Sequence, residues 1–199
     1  MRSNHSQEVP NLAPPGAGIP FPQKLLLRFI VRPLVAGRED PAKSRKRFER
    51  LHEKIRETYL QIPESKRELK VLVPSQRGLE DSSRYWSAAM VLEHLEIVGS
   101  GVGDLIISLS NGQVPGEKVD TALVKPPGVK SHDEALASFD RFRADLMPRL
   151  QDRIGNLNSP LRKVHQWFGP FTARQWYWLL GIHAGIHLQQ LGAIRRSLA

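Results

Sequence analysis

Apolar residues recur at helical spacing in four long segments of the chain. Residues 41–60 carry Phe48, Leu51, Ile55 and Tyr59 three or four positions apart, with acidic and basic residues interleaved between them. This pattern predicts an amphipathic helix with one buried face. Similar patterns predict helices from about 82 to 109, from about 131 to 154 and from about 172 to 198. Four main helices without a convincing pair of strands predict an all-α fold, arranged as a helix bundle.

Capping and helix-breaking residues refine these four helices. Ser131 is followed by acidic residues and Thr172 precedes the last apolar pattern, so each predicts a helix N-terminus. Glycines within 99–103 predict a bend or a loosened turn in the second helix, and Pro148 predicts a kink in the third. The short run VDTALV, residues 119–124, has an extended character but is too isolated to form a sheet.

The N-terminal part of the chain has a different character. Residues 1–22 contain five prolines and little periodic apolar content, which predicts a disordered arm. An apolar stretch follows at 23–36 and predicts an additional short helix. It is broken by two arginines and a proline and is shorter than the roughly 20 apolar residues of a membrane span. We expect it to pack on the bundle, with a membrane-surface anchor as the alternative. Residues 23–199 then form a single domain.

Composition narrows the chemistry. The chain has 199 residues and no cysteine, which excludes disulfides, thiolate metal ligands and a cysteine nucleophile and fits a cytoplasmic location. No signal-peptide pattern is visible at the start. The formal charge is +9, and residues 1–75, with 15 basic and 8 acidic residues, carry +7 of it. A solvated helix surface is the preferred interpretation. No helix-turn-helix or aromatic RNA-binding motif is recognisable, so nucleic acid is not the preferred partner.

Three of the seven histidines form a candidate metal site. His183 and His187 are four residues apart on the last helix, so their side chains project about 40° apart from the same apolar side. The spacing alone favours the alternative of two hydrogen-bonded histidines at a helix interface. His94 lies on the inward stripe of the second helix, where a buried imidazole needs a partner. Three imidazoles from two helices would form an open metal site of the catalytic type, with room for water or substrate.

The same residues carry a resemblance to a known superfamily. Trp86-Ser87 lies shortly before His94, and the last helix contains HAGIHLQQ at 183–190. The segment HQWFGPFT at 165–172, with Gln175-Trp176 after it, completes the match. With these pieces the chain resembles the DinB-like (DinB/YfiT) superfamily of metal-binding four-helix bundles, over residues 40 to 198. Two positions depart from the pattern: Ile186 replaces a common histidine and Gln166 a common proline.

The resemblance carries expectations about function. His94, His183 and His187 match the three metal ligands of the superfamily, and a homodimer is expected on the same ground. All-imidazole ligation suits Zn or Ni, and also Fe or Cu. The resemblance implies a metal-dependent thiol transferase or hydrolase acting on a small molecule, with a low-molecular-weight thiol as one partner. The alternative is a non-catalytic metal-binding or stress-associated interaction protein that uses its basic N-terminal region.

Other polar residues near the motif have weaker assignments. Gln190 shares the face of His187 and is a candidate to orient a metal ligand or a bound water by hydrogen bonding, with a surface glutamine as the equal alternative. His165 either lines the site or structures the loop before Thr172, and the structural role is preferred. Glu93 points about 100° away from its neighbour on the helix and is not expected to be a ligand. His132 is expected at a helix start and His52 on a helix surface. The four tryptophans are expected in the core, although Trp167 lies on a loop that could cover the site.

Overall fold

A computed structural model of the protein describes residues 10–116 and 124–199. The predictions for residues 1–9 and for residues 119–123 lie outside the described residues. Helix makes up 61% of the described residues and strand very little. The prediction of a mainly helical protein is therefore confirmed.

Five helices occur within the described residues. The first, α1, is a continuous helical segment over 21–34 that consists of α-helix Phe21–Leu26, a π-helical turn Leu27–Val31 and α-helix Arg32–Leu34. The four long helices are α2, Pro41–Leu60; α3, Ala88–Ser110; α4, His132–Arg153; and α5, Ala173–Leu198. Short 3-10 turns lie at Glu64–Lys66 and Asp81–Ser83.

Local capping explains where α4 and α5 begin. The Ser131 hydroxyl accepts from the backbone N–H of Glu134, whose carboxylate accepts in turn from the Ser131 N–H. At α5 the Thr172 N–H donates to the Gln175 side chain. Both N-termini are as predicted, and His132 is the first residue of α4, as expected.

The predicted start of α3 was wrong by six residues. The Ser87 hydroxyl caps the helix by accepting from the Met90 N–H, so α3 begins at Ala88 rather than near 82. The preceding residues have other partners. Residues Tyr85–Trp86 form a strand, β2, paired antiparallel with β1, Val71–Leu72. Pairing with β1 therefore outweighs the local helical pattern at Tyr85–Trp86.

A second hairpin was also missed in the sequence. Strand β3, Arg162–His165, pairs antiparallel with β4, Gly169–Thr172, in the segment predicted to be loop. Gly169, the first residue of β4, has a φ of 81°, a backbone conformation that glycine adopts without strain. The hairpin has only four residues per strand, too few to give a clear alternating pattern in the sequence.

The four long helices pack around one hydrophobic core. Helix α3 packs against α4 and α5, and α2 packs against α5 and, less extensively, α4. Core side chains come from all four long helices and include Phe48, Ile55, Tyr59, Leu92, Leu95, Ile106, Phe139, Leu146, Leu150, Trp176, Leu191 and Ile194.

The glycines of α3 allow close helix packing rather than a break. A Cβ built on Gly99 would lie 2.2 Å from Cζ of Phe142, and one built on Gly103 would lie 2.6 Å from Cδ1 of Leu146. Helix α3 continues through both positions to Ser110. The predicted loosening is therefore replaced by a close approach between α3 and α4, which only glycine permits there.

His52 corrects another expectation. It was placed on the helix surface, but its side chain is buried, and its Nδ1 lies 2.8 Å from the Phe48 carbonyl. Its ring packs between Phe48 and Phe139. Burial lowers its pKa to about 4, so the imidazole is neutral at pH 7.

Helix α1 packs on the body by one side only. Leu27 and Val31 pack against the core, and the Gln175 side chain donates to the backbone carbonyls of Arg32 and Ala36. The other side exposes large apolar side chains: Phe21, Leu25, Phe29, Ile30 and Leu34. Within residues 10–116 and 124–199, no helix has both the length and the apolarity needed to cross a membrane.

Candidate metal centre

Helices α3 and α5 bring the three predicted histidines together. Nε2 of His183 lies 3.1 Å from Nε2 of His94 and 3.1 Å from Nε2 of His187. One ligand nitrogen from each ring lies within 4.8 Å of the other two. His183 and His187 project from successive turns of α5, as the spacing predicted, and His94 approaches them from α3.

Hydrogen bonds on the far side of two rings determine which nitrogen is free. Nδ1 of His94 lies 2.8 Å from the Val124 carbonyl, which can only accept, so this Nδ1 carries the proton. The Nε2 of neutral His94 therefore presents a lone pair towards the other histidines. Metal-binding histidines usually donate their other ring N–H to a backbone carbonyl, a carboxylate or water, which fixes the tautomer and the ring orientation.

Gln190 has the same effect on His187. Its Nε2 donates to the Ser83 carbonyl at 2.7 Å, which sets the orientation of the amide. Its Oε1 therefore faces Nδ1 of His187, at 2.7 Å, and accepts the proton there. The Nε2 of His187 is left without a proton, and it faces the group. Gln190 is fully buried, so the surface interpretation of this residue was wrong.

Burial keeps the three imidazoles neutral. Desolvation lowers the pKa of His94 to about 4. It also lowers the pKa values of His183 and His187 well below the usual range, and the neighbouring histidines lower them further. Neutral imidazole is the form that binds a metal ion, so the group is in the ligating state at neutral pH.

The donor set fits a divalent metal better than it fits a hydrogen-bonded trio. With lone pairs on His94 and His187, one proton on Nε2 of His183 can satisfy only one of the two 3.1 Å contacts. The Nε2 lone pair at the other contact is left without a donor in a largely buried site, which is unfavourable. Metal–nitrogen bonds of 2.0–2.1 Å at tetrahedral angles separate ligand nitrogens by about 3.3 Å, close to the observed spacing.

Trp86 forms one side of the group. Its buried ring is parallel to that of His187, with centroids 6.0 Å apart, and lies 5.0 Å from the ring of His94. The β1–β2 pairing holds this tryptophan in place. It was expected in the core and does lie there, but its contact with two of the histidines was not foreseen. Neither the Val124 nor the Ser83 carbonyl could have been found, because a backbone acceptor leaves no signal in the sequence.

A cavity of about 690 Å³ adjoins the three histidines. His165 also lines it, with its ring packed against Phe168 and Trp176 and its Nδ1 accepting from the Trp167 N–H. Burial lowers the pKa of His165 to about 4. His165 therefore both lines the cavity and holds the connection before Thr172, as the two interpretations proposed separately. Trp167 lines the same cavity.

The remaining polar candidates lie elsewhere. Glu93 is buried, but its carboxylate accepts from the Gly128 N–H and is not part of the three-histidine group. His132 pairs with Glu68 at the start of α4. His5 lies outside the described residues. The structure thus groups His94, His183 and His187, with Gln190 beside them, while His165 lines the adjoining cavity without belonging to the group.

Comparisons with known protein families, curated proteins and solved structures found no match to this chain. The class of protein is therefore defined by fold and site alone: a mainly helical protein with a group of three histidines, two buried and one half-buried, that could hold a metal ion. The relation to the DinB-like superfamily stays a prediction.

Proposed function

We propose that this protein is a DinB-like four-helix-bundle protein that binds one divalent transition metal through His94, His183 and His187. The observation that carries the proposal is the convergence of three neutral Nε2 atoms, two of them held unprotonated by hydrogen bonds on the opposite ring nitrogen. Zn and Ni are the preferred metals, with Fe and Cu as further candidates, because imidazole suits all four.

We propose further that the site is catalytic, as a thiol-dependent transferase or a hydrolase. Structural zinc sites usually close with four protein ligands, whereas only these three histidines group as ligands within the described residues. A bound metal would supply a lowered pKa for a coordinated water or thiol. The chain's residues would hold the metal, keep bulk water away and receive the substrate in the adjoining cavity.

The helix arrangement supports the bundle part of the proposal. The four long helices share one core, and the three histidines lie on two helices that pack against each other. Metal sites in helix bundles are built in this way, from side chains of facing helices. A homodimer and a cytoplasmic location remain part of the proposal on the basis of the resemblance and composition.

Metal analysis tests the central claim. The untagged protein, purified and also reconstituted with Zn²⁺ or Ni²⁺, should contain about one metal ion per chain. The triple variant His94→Ala/His183→Ala/His187→Ala should contain almost none. The control His132→Ala removes a histidine outside the group and should retain the metal. Equal and near-zero metal in wild type and triple variant, after reconstitution, would refute the proposal.

Activity testing separates the enzyme from a passive metal binder. Metal-loaded protein should conjugate an electrophile with a low-molecular-weight thiol or hydrolyse an activated ester or amide. Turnover should fall to background in His187→Ala and persist in His132→Ala. Turnover that is unchanged in His187→Ala would place the reaction elsewhere.

The exposed side of α1 favours a second candidate function, a non-catalytic interaction protein that binds an anionic membrane surface. Phe21 and Phe29 are 70% and 62% exposed, and Leu25, Ile30 and Leu34 of the same helix are also exposed. Lys24, Arg28 and Arg32 belong to the same helix and form no ion pair within the described residues. Apolar residues with flanking cations on one helix are typical of binding to an anionic lipid surface.

Vesicle co-sedimentation tests this candidate. The protein should bind vesicles of phosphatidylcholine with phosphatidylglycerol more strongly than phosphatidylcholine alone, and salt should weaken the binding. Phe29→Glu should abolish it, whereas Val129→Glu, at a valine that is 79% exposed outside α1, should not. Binding that survives in the triple histidine variant would show that it is independent of the metal. Equal sedimentation of Phe29→Glu and Val129→Glu would exclude α1 as the contact.

A further inference from the structure

The cavity beside the histidines has an apolar stripe from α3 as one wall. His94, Val98 and Val102 are spaced four residues apart and all line the cavity, because positions four apart fall on one face of a helix. The stripe extends about 12 Å from the histidine at a rise of 1.5 Å per residue. The wall thus changes from metal-binding to purely apolar along its length.

Helix α5 forms the opposite wall with the same change in character. Trp176, Leu179 and Leu180 precede His183 and line the cavity with it. The residues that follow His94 on α3 and those that precede His183 on α5 therefore face one space. Both walls place the nitrogen donors at one end and apolar side chains along the rest.

Further segments also line this space. Leu26 and Leu27 of α1 line it, as do Trp167 and Phe168 from the connection between β3 and β4. Three charged residues also border the cavity: Arg77 and Lys125 are exposed and lie at its edge, and the half-buried carboxylate of Glu80 accepts hydrogen bonds from the Gln166 side chain and the Gly16 N–H.

We propose that the ligand of this site is an amphiphile: an apolar chain or ring system that lies between α3 and α5, with one polar, metal-binding end at the histidines. This inference rests on the proposed function and adds the class of substrate. A polar ligand filling the cavity would lose hydration without gaining partners along Val98, Val102 and Leu179. An apolar body is stabilised there by burial, and the volume of about 690 Å³ suits a drug-sized molecule.

A series of alkyl hydroxamic acids, from butano- to decanohydroxamic acid, tests the inference on metal-loaded protein. The hydroxamate end binds the metal, so only the alkyl chain varies. Affinity measured by calorimetry should rise about fourfold for each added methylene, since each buried methylene contributes about 0.8 kcal/mol. Affinity that does not change with chain length, in protein with its full metal content, overturns the inference and leaves the proposed function standing.

A cavity variant and a metal-independent series complete the test. Val102→Phe narrows the end of the cavity away from the histidines and should reduce the affinity for decanohydroxamic acid. The affinity for acetohydroxamic acid, which is too short to reach this end, and the metal content should stay unchanged. Val129→Phe makes the same change at an exposed valine and should bind like the wild type. If Val102→Phe binds the decanoyl compound like the wild type, the placement is wrong.

A parallel series of 1-alkanols needs no metal. If the chain binds no metal, the proposed function fails, but the alkanols still test whether the cavity binds an apolar chain. Affinity that rises with alkanol length supports an apolar ligand in the cavity, and its absence overturns that assignment.

Discussion

Gln190 offers a sharp test of how the histidines are positioned. The substitution Gln190→Leu keeps a side chain of similar size but removes both hydrogen bonds of the amide. It leaves Nδ1 of His187 and the Ser83 carbonyl without their partner in a buried region. Without the acceptor that holds the proton on Nδ1, His187 can adopt the tautomer with the proton on Nε2, and this nitrogen then has no lone pair for a metal.

The expected magnitude follows from the two lost bonds. Loss of an outer-shell partner of a metal-binding histidine lowers metal affinity about 10–100-fold, or about 1.4–2.7 kcal/mol. Each buried polar group left unpaired should also lower the free energy of unfolding of the metal-free protein by about 1–3 kcal/mol. Both effects are large because Gln190 is fully buried, so water does not replace the amide.

Competitive titration with a zinc chelator measures the affinity, and urea unfolding of the metal-free protein measures stability. Gln189→Leu makes the same change at the neighbouring exposed position and should match the wild type in both. Gln190→Glu in its neutral form can accept from His187 and donate to Ser83, so it should bind zinc more tightly than Gln190→Leu. If Gln190→Leu and Gln189→Leu bind zinc equally, the positioning argument is refuted.

Three further predictions concern the fold and its linkage to pH and metal. Gly99→Ala should lower the free energy of unfolding by about 1–2 kcal/mol, because its Cβ would overlap Phe142. Gly101→Ala, with open space around it, should raise the free energy of unfolding by about 0.5–1 kcal/mol. Changes of the same sign in urea unfolding would contradict the close-packing argument. The folded-state pKa of His52, about 4, lies below its usual 6.5, so the unfolded chain binds more protons between these values and stability falls as the pH falls. Protonation of this group should lower the free energy of unfolding by about 2 kcal/mol between pH 7 and pH 5. In urea unfolding, His52→Phe should therefore lose about 2 kcal/mol less than the wild type over this range. An equal loss of unfolding free energy in the two proteins would contradict the argument. Free Zn²⁺ at about 100 times its dissociation constant should stabilise the wild type by about 2.7 kcal/mol in thermal unfolding, an effect that a chelator reverses and that should be absent from the triple histidine variant.

Local features of this fold were readable in the sequence because their causes lie within a few residues. The capping sequences at Ser131 and Thr172 act on the next turn of backbone, so the starts of α4 and α5 were predicted correctly. The spacing of His183 and His187 likewise determines their common direction from α5. The apolar period of α2 identified Phe48, Ile55 and Tyr59, all of which are buried.

Features that depend on distant partners were not readable in this way. The segment before Ser87 forms a strand because Val71–Leu72 lies beside it, so the predicted start of α3 was too early. His52 was assigned to the surface because its own helix did not reveal that Phe139 packs against it from α4. A periodic pattern describes one helix, whereas burial depends on which other helix covers it.

For the candidate metal centre, the sequence by itself determined the types of donor and the i, i+4 pair on one helix face. Only the tertiary structure decided that His94 approaches this pair, that the Val124 carbonyl and Gln190 leave two Nε2 atoms unprotonated, and that an apolar cavity adjoins them. The physical reason is the range of the interactions. Helical spacing orients side chains within about two turns, whereas the proton on each ring is placed by a partner on its far side, and for His94 that partner is a carbonyl 30 residues away.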